Sequence, residues 1–270
     1  MLLAPPPMPA FDGEETHPPN VPRQHEEQCM RIHLGGGHGG FQIATWVEPT
    51  TDDDEEDHTG LAMWPASTLV IGLLHQRYAA GAFESTDVLD LGCGTGIAGV
   101  AAAVCLCPRR VVLSDQSRLA RALAQRNAAL QSFPAFEIAD YGWRQGDPRP
   151  LAPGGFGLIL ASDVLYADMD AMRSFAKFGV HANDGQALAR FVALLDYCLA
   201  PGGTVLIGLP LRNSEDQLRI LDALSAGSFR HQVLDPQHCL PAELYALSGA
   251  CHDAIVLRCH RVGEAAQHGP

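Results

Sequence analysis

The chain has 270 residues and a formal net charge of −13, from 31 acidic and 18 basic side chains. This excess of acid disfavours binding to nucleic acids or anionic membranes, because both need Lys and Arg to contact phosphates. The apolar fraction of 47% is ordinary for a domain with a large core, and no apolar run approaches the ~20 residues of a membrane-spanning helix.

The negative charge is concentrated in the N-terminal part of the chain. Residues 1–58 hold 12 acidic and 2 basic side chains. Residues 1–30 carry seven prolines and few large apolar groups, so they are predicted to form a disordered tail. Two strand-like segments, 31–34 and 41–47, flank a glycine-rich linker and predict a hairpin. The acidic stretch 51–58 is interpreted as a solvated loop, with an interaction arm as the alternative.

From residue 60 onward, helical segments alternate with short apolar strands. Such alternation predicts an α/β fold in which a mostly parallel sheet is covered by helices on both faces. The predicted helices are 65–78, 97–105, 119–130, 188–199 and 214–224. The predicted strands are 88–91, 111–114, 136–138, 156–161, 205–209, 229–234 and 254–260. Pro201, Gly202 and Gly203 are interpreted as the break between a helix and the next strand.

The strongest motif spans Val88–Gly99 and runs from a strand through glycines into a helix. Gly92, Gly94 and Gly96 permit a turn that side chains would forbid, and they let a ligand approach the main chain. From Gly94 onward the residues also match the Gly-x-Gly-x-x-Gly pattern of dinucleotide sites, a match that is weak alone. S-adenosylmethionine is favoured as the cofactor because Asp90 suits a cationic amino-acid group. The loop also contains no basic residue that would meet phosphates.

Two further residues follow the next two strands. Asp115 stands where doubly wound sheets present an acid to ribose hydroxyls; the alternative is an ordinary helix N-cap. Tyr141 follows the third strand, where an aromatic ring is placed to stack on adenine. The alternative for Tyr141 is a core aromatic.

At this point the motifs resemble a known family. Asp-x-Gly-x-Gly-x-Gly, with the strand order, resembles the seven-strand class I methyltransferases, whose fold is doubly wound and Rossmann-like. Gly60–Ser67 resembles the Gly-x-x-x-Trp-Pro-Ala segment of the family-16 protein lysine methyltransferases, and Leu158–Tyr166 resembles their Asp-x-x-Tyr signature. The resemblance covers roughly residues 60–262. It implies a methyltransferase domain over 31–262, followed by a flexible C-terminus at 263–270.

The resemblance also implies site residues. The cofactor would be held by Trp64, Asp90, Gly92, Cys93, Gly94, Gly96, Asp115, Tyr141 and Ser162. Asp163 and Tyr166 would line the substrate channel as the catalytic pair. Tyr141 departs from the family, which usually has Trp there, and residues 167–185 look like an insertion close to the substrate.

The chemistry of methyl transfer gives Asp163 and Tyr166 their predicted roles. Positive charge appears on the acceptor nitrogen during the reaction, so an anionic or electron-rich group aimed at that nitrogen stabilises the transition state. Asp163 is not expected to be the base. The amine of a free lysine has a pKa of about 10.4, and an adjacent carboxylate would raise that pKa further. The alternatives are a helix N-cap for Asp163 and a packed aromatic for Tyr166.

We therefore expect a protein-lysine methyltransferase whose partner is a Lys-rich or basic protein. Methylation of arginine or of a small molecule, a non-catalytic binding module, and an NAD-dependent reductase are the alternatives. The eight cysteines are scattered, which fits reduced thiols in the cytoplasm or nucleus. No metal is expected, because Cys251-His252 and Cys259-His260 would lie roughly 26 Å apart along a strand.

Overall fold

We analysed a computed structural model, which describes residues 27–33, 40–46, 59–78, 83–141, 151–165, 185–210, 214–234 and 254–263. The strands are β1 (Glu27–His33), β2 (Gly40–Trp46), β3 (Asp87–Leu91), β4 (Arg110–Asp115), β5 (Phe136–Asp140), β6 (Phe156–Ser162), β7 (Leu199–Pro210), β8 (Phe229–Leu234) and β9 (Ala254–Arg261). The helices are α1 (Pro65–Arg77), α2 (Ile97–Leu106), α3 (Arg118–Ala129), α4 (Gly185–Cys198) and α5 (Ser214–Ala226), and a short 3-10 turn spans Thr59–Leu61.

Seven strands form one sheet in the order β5-β4-β3-β6-β7-β9-β8. The first five are parallel to one another, whereas β9 runs antiparallel to both of its neighbours. A classic dinucleotide-binding sheet has the order 3-2-1-4-5-6, so the antiparallel β9 between β7 and β8 departs from it. The predicted α/β class with a mostly parallel seven-stranded sheet is confirmed.

The sheet has a hydrophobic core on each face, because successive residues of a strand point to opposite sides. In β3, Val88 packs with residues of α1 and α2, whereas its neighbour Leu89 packs with residues of α4 and α5. Both residues are fully buried. This burial on both faces explains why the sequences of the central strands are nearly continuous apolar runs.

The structure differs from the sequence prediction at two places. Residues 27–30 were assigned to the tail, but they form the first half of β1, where backbone pairing with β2 includes them. Residues 201–203 were assigned to a break, but β7 begins at Leu199 and continues through them. The register shift between β6 and β7 places these residues in a bulge-like irregularity, in which Gly202 has a positive φ of 70°.

Several predicted features lie outside the described residues. These are the tail before residue 27, the acidic loop 51–58, Tyr166, the insertion 167–184 and the end of the chain after residue 263. Within the described part of the chain, no helix has the length and apolar character needed to cross a membrane.

Candidate functional site

The candidate site lies at the carboxyl ends of β3 and β6, the two central parallel strands. The strand that follows β3 in the chain, β4, lies on one side of this central pair, and β7, which follows β6, lies on the other side. This is therefore the point where the strand order reverses. Open α/β sheets bind their ligands in the crevice at such a point. The glycine loop follows β3 here, and Ser162 and Asp163 stand at the end of β6.

The glycine loop connects β3 to α2 and contains three glycines with positive φ. Gly92, Gly94 and Gly96 have φ values of 68°, 52° and 78°, a region in which other residues are strained. A Cβ at Gly92 would also lie 2.6 Å from Val164 Cγ1. Glycine is therefore required here both by backbone conformation and by the close approach of the loop after β6.

Asp90 is buried in β3 with 0% exposure. Its Oδ2 accepts a hydrogen bond of 2.8 Å from the backbone N–H of Gly99 in the first turn of α2, where a carboxylate is favoured by the helix dipole. Its Oδ1 has no hydrogen-bond partner among the described residues. Burial, together with the nearby charge of Asp115, raises the pKa of Asp90 to about 7. The site thus contains a buried carboxylate that has no counter-charge among the described residues.

Asp115 ends β4 and uses both carboxylate oxygens to hold the main chain. Its Oδ2 accepts from the N–H of Gly94 at 3.0 Å and its Oδ1 from the N–H of Ser117 at 2.8 Å. The helix cap itself is Ser117, whose side chain accepts from Ala120 N. The alternative prediction, in which Asp115 is the N-cap of α3, is therefore wrong. A role at the cofactor ribose stays a prediction.

The first turn of α1 is bonded to the end of β6. The N–H of Ala66 donates to Asp163 Oδ2 at 2.8 Å, and the hydroxyls of Ser67 and Ser162 lie 3.1 Å apart. Asp163 is only 3% exposed and has a positive φ of 56°. The alternative of a helix cap is thus partly right, but the helix that Asp163 caps is the distant α1. Its predicted role toward the substrate stays a prediction.

The 3-10 turn packs directly against the glycine loop. A Cβ at Gly60 would lie 2.8 Å from Ala120 Cβ and 3.4 Å from Gly94 Cα, and one at Gly94 would lie 3.0 Å from Gly60 O. Leu61 packs with apolar residues of α3. The segment then leads to the half-buried Trp64, which immediately precedes α1. The structure therefore brings Trp64, the glycine loop and Asp115 to the same edge of the sheet.

Two predicted cofactor residues are more buried than the sequence suggested. Cys93 is in the core, and burial together with Asp115 and Asp90 raises the pKa of its thiol well above the usual value. Its backbone N–H donates to Ser114 O at 2.9 Å. Tyr141 is 1% exposed and packs in the core on the α4 and α5 side. This burial favours a core aromatic for Tyr141 over a ring presented to adenine.

Sequence reasoning missed two residues that organise the site. Asn127 of α3 is fully buried and its Nδ2 donates to Thr95 O in the glycine loop at 2.7 Å. The signal was present in the sequence, because Asn127 stands four residues after Leu123 and therefore lies on the same face of the helix. Arg121 pairs with Asp140 at 2.7 Å and also donates to Asp115 O at 3.0 Å. It therefore joins the ends of β4 and β5.

The described residues contain no group of three or more His, Cys, Asp or Glu placed to hold a metal ion. Cys259 is buried in β9, and His260 Nδ1 lies 3.3 Å from Gly203 O. Cys251 and His252 lie outside the described residues.

Comparison with known proteins gives one family match. Residues 48–178 match the sequence model of a family described as lysine methyltransferase. This range contains the 3-10 turn, the glycine loop, Asp115 and the end of β6. Comparison with curated proteins gives no match.

Several solved structures with a similar fold are described as methyltransferases or methylases. A putative S-adenosylmethionine-dependent methyltransferase from Streptococcus mutans has a TM-score of 0.51 at 14% identity, over 81% of this chain and 53% of that one. A putative methyltransferase complexed with SAH has a TM-score of 0.52 at 14% identity, over the same shares. The ribosomal protein L11 methylase from Lactobacillus delbrueckii subsp. bulgaricus has a TM-score of 0.46 at 18% identity, over 73% of this chain and 77% of that one.

These matches confirm the resemblance inferred from the motifs. The chain has the class I methyltransferase fold, and its family match is to lysine methyltransferases. The family match supports a methyltransferase, and the solved structures support the shared fold.

Proposed function

We propose that this class I methyltransferase transfers a methyl group from S-adenosylmethionine to a lysine side chain of a protein. The observation that carries the proposal is the family match over residues 48–178. That range includes both motifs at the site, and the bond from Ala66 N–H to Asp163 Oδ2 joins one to the other. The motifs that resemble the lysine methyltransferases thus form one structural unit beside the glycine loop.

The charges of the site fit this cofactor better than a dinucleotide. Asp90 is buried near the charge of Asp115 and has no counter-charge in the part of the chain that the structure describes. No basic residue lies within the loop from Gly92 to Gly96. A pyrophosphate here would add negative charge to two carboxylates, whereas a cationic amino acid would lower the electrostatic cost of both. The antiparallel β9 also separates this sheet from the classic dinucleotide order.

The residues that would hold the cofactor surround the loop. When bound, S-adenosylmethionine supplies a methyl group on a positively charged sulfur. Asp90 would meet the amino-acid end, Asp115 the ribose, and Trp64 the side that faces the N-terminal segment. Main-chain groups of Gly92, Cys93, Gly94 and Gly96 would contact the cofactor directly, and Ser162 would stand beside it.

Asp163 and Tyr166 are assigned to the substrate lysine. Asp163 lies at the end of β6 with its carboxylate fixed by Ala66, and Tyr166 follows three residues later, outside the described part of the chain. A fixed carboxylate stabilises the positive charge that develops on the attacking nitrogen without reorganising. The lysine has to lose its proton to solvent before the transfer, because a carboxylate is too weak a base to take a proton from an amine whose pKa is about 10.4. The enzyme contributes mainly alignment of the two reactants.

The acidic N-terminal part supports a basic protein as the partner. The run Asp52–Asp57 ends two residues before Thr59, which begins the 3-10 turn against the glycine loop. Two residues span at most about 7 Å, so the end of the run is tethered close to the site. Six acids there would raise the local concentration of a Lys-rich segment.

Transfer of labelled methyl groups tests the proposal. The purified chain is incubated with tritiated S-adenosylmethionine and a cell lysate, and the labelled residue is mapped by mass spectrometry. Label on lysine supports the proposal. Label on arginine or in the small-molecule fraction would transfer the assignment to those acceptors. No label, despite a thermal shift with S-adenosylhomocysteine, would instead indicate a binding module.

A further inference from the structure

The glycine loop is held by a side chain from a helix that carries none of the predicted site residues. Asn127 of α3 is 0% exposed, and its Nδ2 donates a hydrogen bond of 2.7 Å to the carbonyl oxygen of Thr95. Thr95 lies between Gly94 and Gly96 and is itself buried. We propose that Asn127 is a positioning residue that fixes the Thr95–Gly96 peptide in the orientation that cofactor binding requires. The inference rests on the proposed function, in which this loop holds S-adenosylmethionine.

A contact to one polar group of a peptide bond also orients the other. The carbonyl oxygen and the N–H of a trans peptide point in opposite directions. When Asn127 holds Thr95 O against α3, the N–H of Gly96 is turned the other way, and it donates to Cys93 O at 2.8 Å. One side-chain contact therefore sets the direction of both polar groups of this peptide.

This peptide needs such a contact, because glycine does not fix it. Gly96 has a φ of 78° and, without a Cβ, can adopt many backbone conformations. The peptide before it can therefore rotate once its hydrogen bonds are lost. Rotation would turn the Thr95 carbonyl oxygen away from α3 and undo the Gly96 N–H contact, so the loop would no longer present the same main-chain groups.

Asn127 and Asp115 are a pair of side chains that fix two peptides of the loop, Thr95–Gly96 and Cys93–Gly94. Asp115 accepts from the N–H of Gly94, and Asn127 donates to the carbonyl of Thr95. The first contact needs an acceptor and the second needs a donor. An amide supplies that donor at any pH, whereas a carboxyl group supplies it only when protonated.

This requirement for a donor gives a sharp experiment. Asn127→Asp and Asn127→Leu are compared with the full-length wild-type chain, using S-adenosylhomocysteine affinity measured by calorimetry from pH 5 to pH 8. Gln131→Ala is the matched control, because Gln131 Nε2 donates to the main-chain oxygen of Asn127 at 2.9 Å, so its removal leaves the Asn127 side chain unchanged. The melting temperature of each unliganded variant is recorded alongside.

We expect both Asn127 variants to bind at least tenfold more weakly than wild type at pH 8, while Gln131→Ala binds as wild type does. On lowering the pH to 5, Asn127→Asp should recover most of the loss relative to wild type, because its protonated carboxyl donates to Thr95 O. Asn127→Leu should recover none. A lower melting temperature alone is common to any buried substitution and does not produce this pH dependence.

Three results would overturn the inference. Wild-type affinity in both Asn127 variants, whatever their melting temperatures, would reduce Asn127 to a stabilising residue. Equal losses in both variants at every pH would show that the hydrogen-bond donor is irrelevant. A wild-type chain that binds no S-adenosylhomocysteine would contradict the proposed function, and the assignment of Asn127 would fall with it.

Discussion

Asp163 and Ala66 lie 97 residues apart in the chain, yet the Ala66 N–H donates to Asp163 Oδ2 at 2.8 Å. The carboxylate thereby caps the N-terminus of α1, whose own preceding residue, Trp64, makes no side-chain cap. This bond attaches the segment before α1 to the end of β6. A hydrogen bond therefore joins the segment that packs on the glycine loop to the residue assigned to the substrate.

Substitutions of Asp163 should separate this structural contact from the predicted catalytic charge. Asparagine keeps an acceptor for Ala66 N–H and tolerates the left-handed backbone, whereas alanine does neither. We expect Asp163→Ala to lose about 1–2 kcal/mol of stability and all methyl transfer, with cofactor binding retained. Asp163→Asn should keep near-wild-type stability and still lose most activity, because the negative charge is gone. Chemical denaturation and methyl-transfer rates measure the two effects.

Comparison of the two Asp163 variants distinguishes the capping role of the side chain from its catalytic charge. Wild-type turnover in Asp163→Asn would remove the carboxylate charge from the mechanism and leave the cap as its role. Loss of S-adenosylhomocysteine binding in both variants, measured by calorimetry, would contradict the assignment of Asp163 to the substrate.

Asp90 should make stability depend on pH around neutrality. Its pKa is raised to about 7 by burial and by the charge of Asp115, compared with about 3.8 for the unfolded chain. Well below pH 3.8 both states are protonated, and Asp90 does not change the stability. As the pH rises toward 7, only the unfolded state ionises, so stability falls and then levels off above the folded pKa.

Asp90→Asn removes this ionisation and keeps an acceptor for Gly99 N–H. Its stability relative to wild type should increase from pH 5 to pH 8 by at most about 3 kcal/mol, because about two pKa units of the shift lie above pH 5. Thermal unfolding of both proteins over this range measures the difference. A difference that is flat with pH would show that Asp90 is already ionised in the folded protein at pH 5.

Gly60 should be needed for contact between the 3-10 turn and the glycine loop. A Cβ at this position would lie 2.8 Å from Ala120 Cβ, too close for two carbon atoms, so Gly60→Ala must displace the turn. We expect at least a tenfold loss of S-adenosylhomocysteine affinity by calorimetry. The double variant Gly60→Ala/Ala120→Gly removes the clashing atom and should restore most of it. If the double variant binds as poorly as the single one, the clash with Ala120 is not the cause.

The sequence predicted these site elements because strong local patterns mark them. The apolar strands and the spaced glycines indicated the sheet and its loop without any knowledge of tertiary contacts. Contacts between distant segments were not predictable in this way. The capping of α1 by Asp163 and the approach of Gly60 to Gly94 depend on how three segments meet in space. The bulge in β7 was likewise missed, because Pro201-Gly202-Gly203 has the local composition of a loop.

Asp87, at the end of β3 away from the glycine loop, should stabilise the fold in a pH-dependent way. It is buried at the start of β3, and bonds of 2.7 Å from Arg109 Nε and 2.6 Å from Arg110 Nη2 hold it. Burial raises the pKa of Asp87, but the two guanidinium groups outweigh burial, and the net shift is downward. Asp87 therefore stabilises the fold above pH 4, and this contribution disappears as the pH falls below that.

Asp87→Asn should cost about 1–3 kcal/mol at pH 7, and the difference from wild type should shrink below pH 4. S-adenosylhomocysteine affinity should be unchanged, because Asp87 lies at the end of β3 away from the glycine loop. Urea unfolding at several pH values and calorimetry measure these quantities. A large change in affinity would mean that the two ends of β3 are coupled.

The acidic N-terminal part should act on substrate binding and leave the chemistry unchanged. Residues 1–58 carry a net charge of −10 out of −13, so the rest of the chain is close to neutral. We expect neutralisation of Asp52–Asp57, combined with deletion of residues 1–26, to raise KM for a basic protein substrate several-fold at low salt with kcat unchanged. The deletion stops at residue 26 because β1 begins at Glu27. Since salt screens such attraction over about 10 Å at 0.1 M, the effect should fade as ionic strength rises; a KM equal to that of wild type at low salt would make the acidic run a solvated loop.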